Sequence, residues 1–261
     1  NNMHQQNAAF NLFFRNNPFG GGFTINCGLD NVIDFLENFH FSSSDLDYLA
    51  SLRGNDNQPL FEESFLDFLG SMTFECDVDA IPEGTVVFPH EPMLRIKGPL
   101  LQCQLIESAL LNFVNFQSLV ATKASRISIA AKGDPVMEFG LRRAQGIDGS
   151  LSASRAAYIG GCKGTSNVLA GKKFGIPVLG THAHSWVQAF EDELEAFDAF
   201  ARTLPNNTIF LVDTYDTSTG IDHAITITQK MEKRGHKISG IRIDSGDLAY
   251  FSQMARRKLK E

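Results

Sequence analysis

The sequence predicts an α/β protein in two parts: an N-terminal α+β domain, residues 1–125, and a part built from alternating strands and helices, residues 126–261. Three observations carry this reading. In the second half, short apolar runs alternate with longer stretches of helical spacing. Between the halves, residues 102–131 contain few breakers and repeat apolar positions at Leu105, Ile106, Ala109, Leu110, Phe113 and Val114, one long helix. In the first half, short helical patterns are mixed with β-like segments rather than alternating regularly with them.

Taken in order, residues 30–39 place Val32, Ile33, Leu36 and Phe39 on one helical face. Residues 44–52 and 61–69 read as short helices, the first capped by a serine run. Residues 84–94 open a strand, a turn and a strand: Val86-Val-Phe88, then Pro89-His-Glu-Pro92, then Met93-Leu-Arg-Ile96. In the second half, strands are expected over 135–141, 176–179, 208–212 and 238–243, and helices over 152–159, 165–173, 191–202, 222–234 and 248–260. Gly160-Gly161 breaks the chain between two of these helices. Four strands are half of what a closed (β/α)₈ barrel needs, so the sheet is either open and doubly wound or part of a longer barrel.

Composition narrows the function. The 261 residues carry a formal net charge of -7, which argues against a general nucleic-acid binder or a membrane-surface protein. No apolar run approaches the roughly 20 residues of a membrane span. The opening, Asn1-Asn-Met-His-Gln-Gln6, has neither a basic flank nor an apolar signal core. Cys27, Cys76, Cys103 and Cys162 lack metal-ligand spacing and read as free thiols of a cytoplasmic protein. The 22 phenylalanines, many of them early (Phe10, Phe13, Phe14, Phe19, Phe23, Phe35, Phe39, Phe41), read as an aromatic core rather than a binding platform.

The chemistry concentrates where the predicted strands end. Arg142, Arg143 and Gln145 follow the first, and Thr181, His182, His184 and Ser185 follow the second. Asp213, Tyr215 and Asp216 follow the third; Asp244, Ser245 and Asp247 follow the fourth, with Arg242 just inside it. In α/β sheets and barrels, ligands bind at this carboxyl end. A single Asp there is more often a turn or helix cap, and Asp247 suits that role. Four successive strands thus deliver arginines, histidines and carboxylates to one end, a mixture that suits a phosphorylated sugar, because arginine pairs bidentately with phosphate and carboxylates accept from ribose hydroxyls or hold Mg²⁺. Neither a Gly-x-x-x-x-Gly-Lys-Ser/Thr loop nor a Gly-x-Gly-x-x-Gly after a strand is present. The rival is a metal-dependent barrel hydrolase, since His182 and His184 would face one side of a strand. The other histidines (His4, His40, His90, His223, His236) offer no convincing further ligand at a strand's carboxyl end.

The motifs Glu138-Phe-Gly-Leu-Arg-Arg-Ala-Gln-Gly146, Ala153-Ser-Arg-Ala-Ala-Tyr-Ile-Gly-Gly161, Thr165-Ser-Asn-Val-Leu-Ala-Gly171, Gly180-Thr-His-Ala-His-Ser-Trp-Val187, Leu211-Val-Asp-Thr-Tyr-Asp216 and Gly240-Ile-Arg-Ile-Asp-Ser-Gly-Asp-Leu248 resemble the nicotinate phosphoribosyltransferases. So do Phe13-Phe-Arg15, Asn17-Pro-Phe-Gly-Gly21, Pro82-Glu-Gly-Thr85 and Phe116-Gln-Ser-Leu-Val-Ala-Thr-Lys123, so the resemblance covers nearly the whole chain from Phe10. It implies part of an irregular (β/α) barrel of the type II phosphoribosyltransferase kind. It also implies ATP-coupled transfer of phosphoribose from 5-phosphoribosyl 1-diphosphate to nicotinate, with Mg²⁺ as cofactor, in a cytoplasmic homodimer that serves NAD synthesis. By motif position His184 is the implied phosphohistidine and Asp213 and Asp244 the catalytic carboxylates. Arg142, Arg242, Ser185 and Ser245 are the implied substrate contacts, and His182, less tightly specified, is read as a neighbour that shapes or hydrogen-bonds the pocket. The family's early Thr-Asp-Leu-Tyr stretch, whose tyrosine lines the pocket, is absent here, and the family continues past residue 261. The expectation is therefore a part of a longer enzyme, inactive alone, which robust turnover by the purified chain would refute. Alternatives are a related nicotinamide or quinolinate phosphoribosyltransferase, the His-x-His hydrolase, and a non-catalytic paralogue.

Overall fold

The computed structural model describes residues 6–260; the reading of the first residues as lacking a signal, and His4, fall outside them. The chain divides between Leu179 and Gly180 into two compact units.

The first unit begins with strand β1, Asn7–Leu12, followed by β2, Thr24–Ile25. Helices α1 (Leu29–Glu37), α2 (Ser43–Ser51) and α3 (Glu63–Ser71) come next, then β3 (Asp77–Ala80), β4 (Val86–Val87) and β5 (Leu94–Pro99). Helix α2 starts with a capping box: Ser42 Oγ accepts from the Asp45 amide at 3.2 Å, and Asp45 accepts from the Ser42 amide at 2.8 Å. The sheet order is β1-β5-β3, antiparallel throughout. Strand alternation turns Phe10 and Leu12 of β1, and Leu94 and Ile96 of β5, towards one core. That core is completed by Val32 and Leu36 of α1 and by Cys103, Ile106, Leu110 and Val114. The aromatic reading holds in part: Phe35 meets Phe39 and Phe113 edge-to-face against this core, whereas Phe13 and Phe19 are exposed. Strands β4 and β5 are not partners: β4 pairs with β2, because Pro89 to Pro92 turn the chain out of that ladder.

The long helix is α4, Leu100–Ala130, 31 residues. It crosses position 125 unbroken and packs on both the N-terminal sheet and helix α5 (Ile147–Ile159). The approach to α5 is close because position 160 is glycine: a Cβ there would lie 2.3 Å from the Ala121 carbonyl oxygen. Buried hydroxyls on α4 serve β2 and the residues after it, with Thr122 Oγ1 accepting from the Ile25 amide at 2.9 Å and Ser118 Oγ accepting from the Cys27 amide at 3.1 Å. Parallel strands β6 (Met137–Glu138) and β7 (Gly164–Thr165) follow α4, and helix α6 (Val168–Phe174) closes this region. The strand expected at 176–179 is reduced to one parallel bridge, Val178 to Thr165, after Pro177, which has no amide to donate. All four cysteines lie in this unit and are free; Cys27, Cys103 and Cys162 are buried.

The second unit contains α7 (His184–Val187), α8 (Glu193–Thr203), β8 (Ile209–Leu211), α9 (Thr217–Glu232), β9 (Gly240–Arg242) and α10 (Leu248–Lys258). Strands β8 and β9 are parallel, Ile209 opposite Gly240 and Leu211 opposite Arg242. Their core holds Phe197, Phe210, Val212, Ile221, Ile227 and Met231, with Phe197 stacked on Phe210 at 4.8 Å. Trp186 packs against it and donates to the Ala196 carbonyl at 3.2 Å. Among the described residues no helix is long and apolar enough to cross a membrane.

Candidate active site

The site is built where β8 and β9 end. A parallel pair of β-rich segments, Ile209-Phe-Leu-Val212, buried from Phe210, and the half-buried Ile241-Arg-Ile243, delivers its next polar residues side by side. Asp213 follows β8 with its side chain 1% exposed. Its Oδ2 accepts from the Asp244 amide at 2.9 Å and from the Ser245 hydroxyl at 2.6 Å. Its Oδ1 lies 3.3 Å from His184 Nε2. Burial pushes the Asp213 carboxyl upward, but these three partners outweigh it and hold the group below the usual carboxylate range. It is an anion at neutral pH, able to fix one tautomer of His184.

His184 opens α7, and its side chain is 38% exposed, so one ring edge faces Asp213 while the ring stays reachable from solvent. Arg242, the last residue of β9, donates from Nη1 to Thr181 Oγ1 at 2.6 Å and from Nη2 to Asp244 Oδ2 at 2.7 Å. Asp244 is 40% exposed even with that partner. Ser185 is exposed next to His184. Thus His184, Asp213, Asp244, Ser245 and Arg242 come together through named contacts. Of the other strand-end carboxylates, Asp216 and Asp247 are helix caps, accepting from the amides of Thr219 at 2.8 Å and Tyr250 at 3.0 Å.

His182 behaves differently from His184. It is buried, and its Nε2 accepts a hydrogen bond from the Leu211 amide at 3.1 Å. Its ring packs edge-on against Phe200 at 4.8 Å. Burial lowers its pKa from the ordinary value, so the ring is held neutral.

Arg142 and Arg143 belong to the first unit, in the 3-10 turn Leu141–Arg143, and both are exposed. The turn is anchored through Glu138, at the end of β6. Glu138 Oε2 accepts from Thr165 Oγ1 at 2.6 Å and from Ser154 Oγ at 2.8 Å, while Oε1 accepts from the Gly140 amide. Glu138 and Thr165 are functional-site candidates that the strand-end reasoning passed over, whereas Thr181, which it placed after the second strand, holds Arg242. A signal for the first was present: a glutamate inside the apolar run Val136-Met-Glu-Phe139 needs buried partners.

The family model described as the nicotinate phosphoribosyltransferase N-terminal domain matches residues 1–115, and that of the nicotinate phosphoribosyltransferase family matches residues 135–260. The nicotinate phosphoribosyltransferase of Bacillus subtilis is 46% identical over 260 residues, covering 99% of this chain and 51% of that protein. The crystal structure of human nicotinic acid phosphoribosyltransferase superposes with a TM-score of 0.88 at 34% identity, over 99% of this chain and 61% of the human one. The nicotinate-nucleotide pyrophosphorylase of Pyrococcus furiosus superposes with a TM-score of 0.74 at 26% identity, over 98% of this chain and 57% of that one. The fold is therefore the mixed α/β fold of the type II phosphoribosyltransferases, with no closed barrel among the described residues. The chain spans about half the length of the curated relatives it matches. On these matches, the chain belongs to the nicotinate phosphoribosyltransferase family.

Proposed function

We propose that this chain carries the phosphoryl-accepting and ribose-handling part of an enzyme that transfers phosphoribose from 5-phosphoribosyl 1-diphosphate to nicotinate, coupled to ATP hydrolysis, in NAD synthesis. The observation that carries the reading is the His184–Asp213 pair, backed by Ser245 and the Asp244 amide, at the carboxyl ends of two parallel strands.

With Nε2–H donated to Asp213, the bare nitrogen of His184 is Nδ1. In the phosphoryl step Nδ1 bonds to the γ-phosphorus of ATP as the bond to the β–γ bridging oxygen breaks, releasing ADP. Asp213 stabilises the positive charge that develops on the ring, as a buried carboxylate does for any histidine nucleophile. In the glycosyl step, positive character grows at C1 of the ribose as diphosphate leaves, and the nearby carboxylates of Asp213 and Asp244 stabilise it. Arg242, already tied to Asp244 and Thr181, is set to exchange one of those partners for a phosphate oxygen. Arg142 is the candidate for the nicotinate carboxylate or a phosphate, and Ser185 supports the phosphoryl group. Mg²⁺ suits a donor set with one exposed carboxylate, Asp244, because this cation keeps water and substrate phosphate oxygens as its main ligands; it would neutralise the departing diphosphate.

The His-x-His hydrolase is disfavoured by a positive feature: the Nε2 of His182 is taken by a backbone amide. The free thiols suit a reducing, cytoplasmic setting. A homodimer, and a boundary between an N-terminal domain at 1–125 and a barrel part from 126, complete the proposal. Incubation with γ-labelled ATP tests it: acid-labile, base-stable label is expected on the chain and is lost in His184→Ala. Label retained in that variant overturns the assignment.

A further inference from the structure

Two contacts join residues 181–184 to the end of β8, and they are in step. His182 Nε2 receives the Leu211 amide proton, and two residues further along both segments His184 Nε2 meets Asp213 Oδ1. Among the described residues strand β8 is paired with β9 alone, so the Leu211 amide points to a side that offers no ladder carbonyl. A buried amide left without an acceptor is destabilising, and the imidazole supplies that acceptor. Phe197 and Phe200 flank the ring at 5.8 and 4.8 Å and limit its rotation. Nδ1 faces the Ala183 carbonyl at 3.4 Å, so the proton sits on Nδ1 and Nε2 is bare.

We propose that His182 is a positioning residue that stands in for a missing β-strand: its bare Nε2 fixes the end of β8 against residues 181–184 and so sets the His184–Asp213 distance. The functional part of this statement rests on His184 being the phosphoryl acceptor; the positioning part does not. The pattern explains the spacing of the two histidines. Ala183, between the two histidines, is extended, so one residue carries the chain from the clasp at His182 and Leu211 to His184 at the start of α7, which meets Asp213 two residues beyond Leu211. A slip of one residue would break both contacts together.

The test uses the full chain with two variants. His182→Gln puts a carbonyl acceptor near the position of Nε2; His182→Leu fills the volume and accepts nothing. Two-bond ¹H–¹⁵N spectra of the unaltered protein should show an unprotonated His182 Nε2; a protonated Nε2 overturns the proposal whatever the variants do. Hydrogen exchange of the Leu211 amide should quicken at least about tenfold in His182→Leu and stay near the original rate in His182→Gln. Label uptake from ATP at His184 should fall about tenfold or more in His182→Leu and recover in His182→Gln. Equal exchange, or equal labelling, in His182→Leu overturns the positioning role. If the unaltered protein takes no label, the phosphohistidine reading fails by itself, and the carboxyl titration of Asp213 decides the positioning role. An upward shift in His182→Leu supports it; an unchanged titration overturns it.

Discussion

Gly220 lies on α9 facing the residue just before Asp213, and Gly220→Ala sets two effects against each other. In a helix interior alanine is favoured over glycine by about 1 kcal/mol. Against that, the added Cβ would stand 2.1 Å from the Val212 carbonyl oxygen and 3.2 Å from Val212 Cα. These are backbone atoms, so no rotamer relieves the contact, and α9 and β8 must part by about 1 Å in an interior packed to crystal-like density. Overpacking of this kind costs roughly 1–3 kcal/mol, and a backbone clash sits at the upper end. The clash therefore wins, and Gly220→Ala should destabilise by about 2 kcal/mol. Gly149 in α5 is the control: nothing lies within 4 Å of a Cβ built there. Gly149→Ala should stabilise by about 0.5–1 kcal/mol. Urea titrations of the three proteins, followed by far-UV circular dichroism, measure both changes. A Gly220→Ala protein as stable as the original would refute the packing argument, because propensity alone cannot give the two substitutions opposite signs.

Arg155→Ala removes two bonds to Glu83, at 2.6 and 2.9 Å, and leaves a carboxylate only 16% exposed that still accepts from the Gly28 amide. A loss of about 2–3 kcal/mol is expected, less than for a fully buried pair because water reaches both groups; a urea midpoint unchanged by the substitution contradicts it. Asp213→Asn keeps the shape but removes the charge behind His184, and should slow phosphoryl labelling at least about tenfold. Labelling at the original rate would show that the pair is not used. Burial, with the charges of Arg242 and His184 acting the same way, holds His182 below its ordinary pKa of 6.5. The unfolded chain then takes up a proton that the folded chain refuses, so stability should decline as pH falls from about 6.5 towards the folded value. Urea midpoints at neutral and mildly acid pH should differ more in the original protein than in His182→Gln.

The long helix and the alternation after it were legible because their apolar spacing is strong, and the serine and aspartate caps could be placed by chemistry alone. Short strands were not: β2 and β7 are held by partners far away in the chain, which local patterns do not encode, and the strand expected at 176–179 shrinks to the bridge at Val178. The sequence also made β4 and β5 look like neighbours, although each finds a different sheet. At the site, strand-end reasoning found Asp213, Asp244, Arg242 and His184. It could not separate the two histidines physically, because the difference lies in a Leu211 amide that only the sheet's edge leaves unpaired. Glu138 escaped for a similar reason, since its partners Ser154 and Thr165 come from elements that follow it.

The placement of sulfur and indole has a practical consequence. Every cysteine precedes Leu179, and three of the four are shielded, Cys27 with its thiol pushed up to about 12 by burial. The sole tryptophan, Trp186, follows Gly180 and rests on the other core. The protein thus carries two native, non-overlapping reporters. Thiol-reagent kinetics read the opening of the first unit, because a buried thiol reacts only when its surroundings part. Indole emission reads the second. Both can be followed in one sample without an added label, so a substitution in either unit can be assigned to the half it loosens.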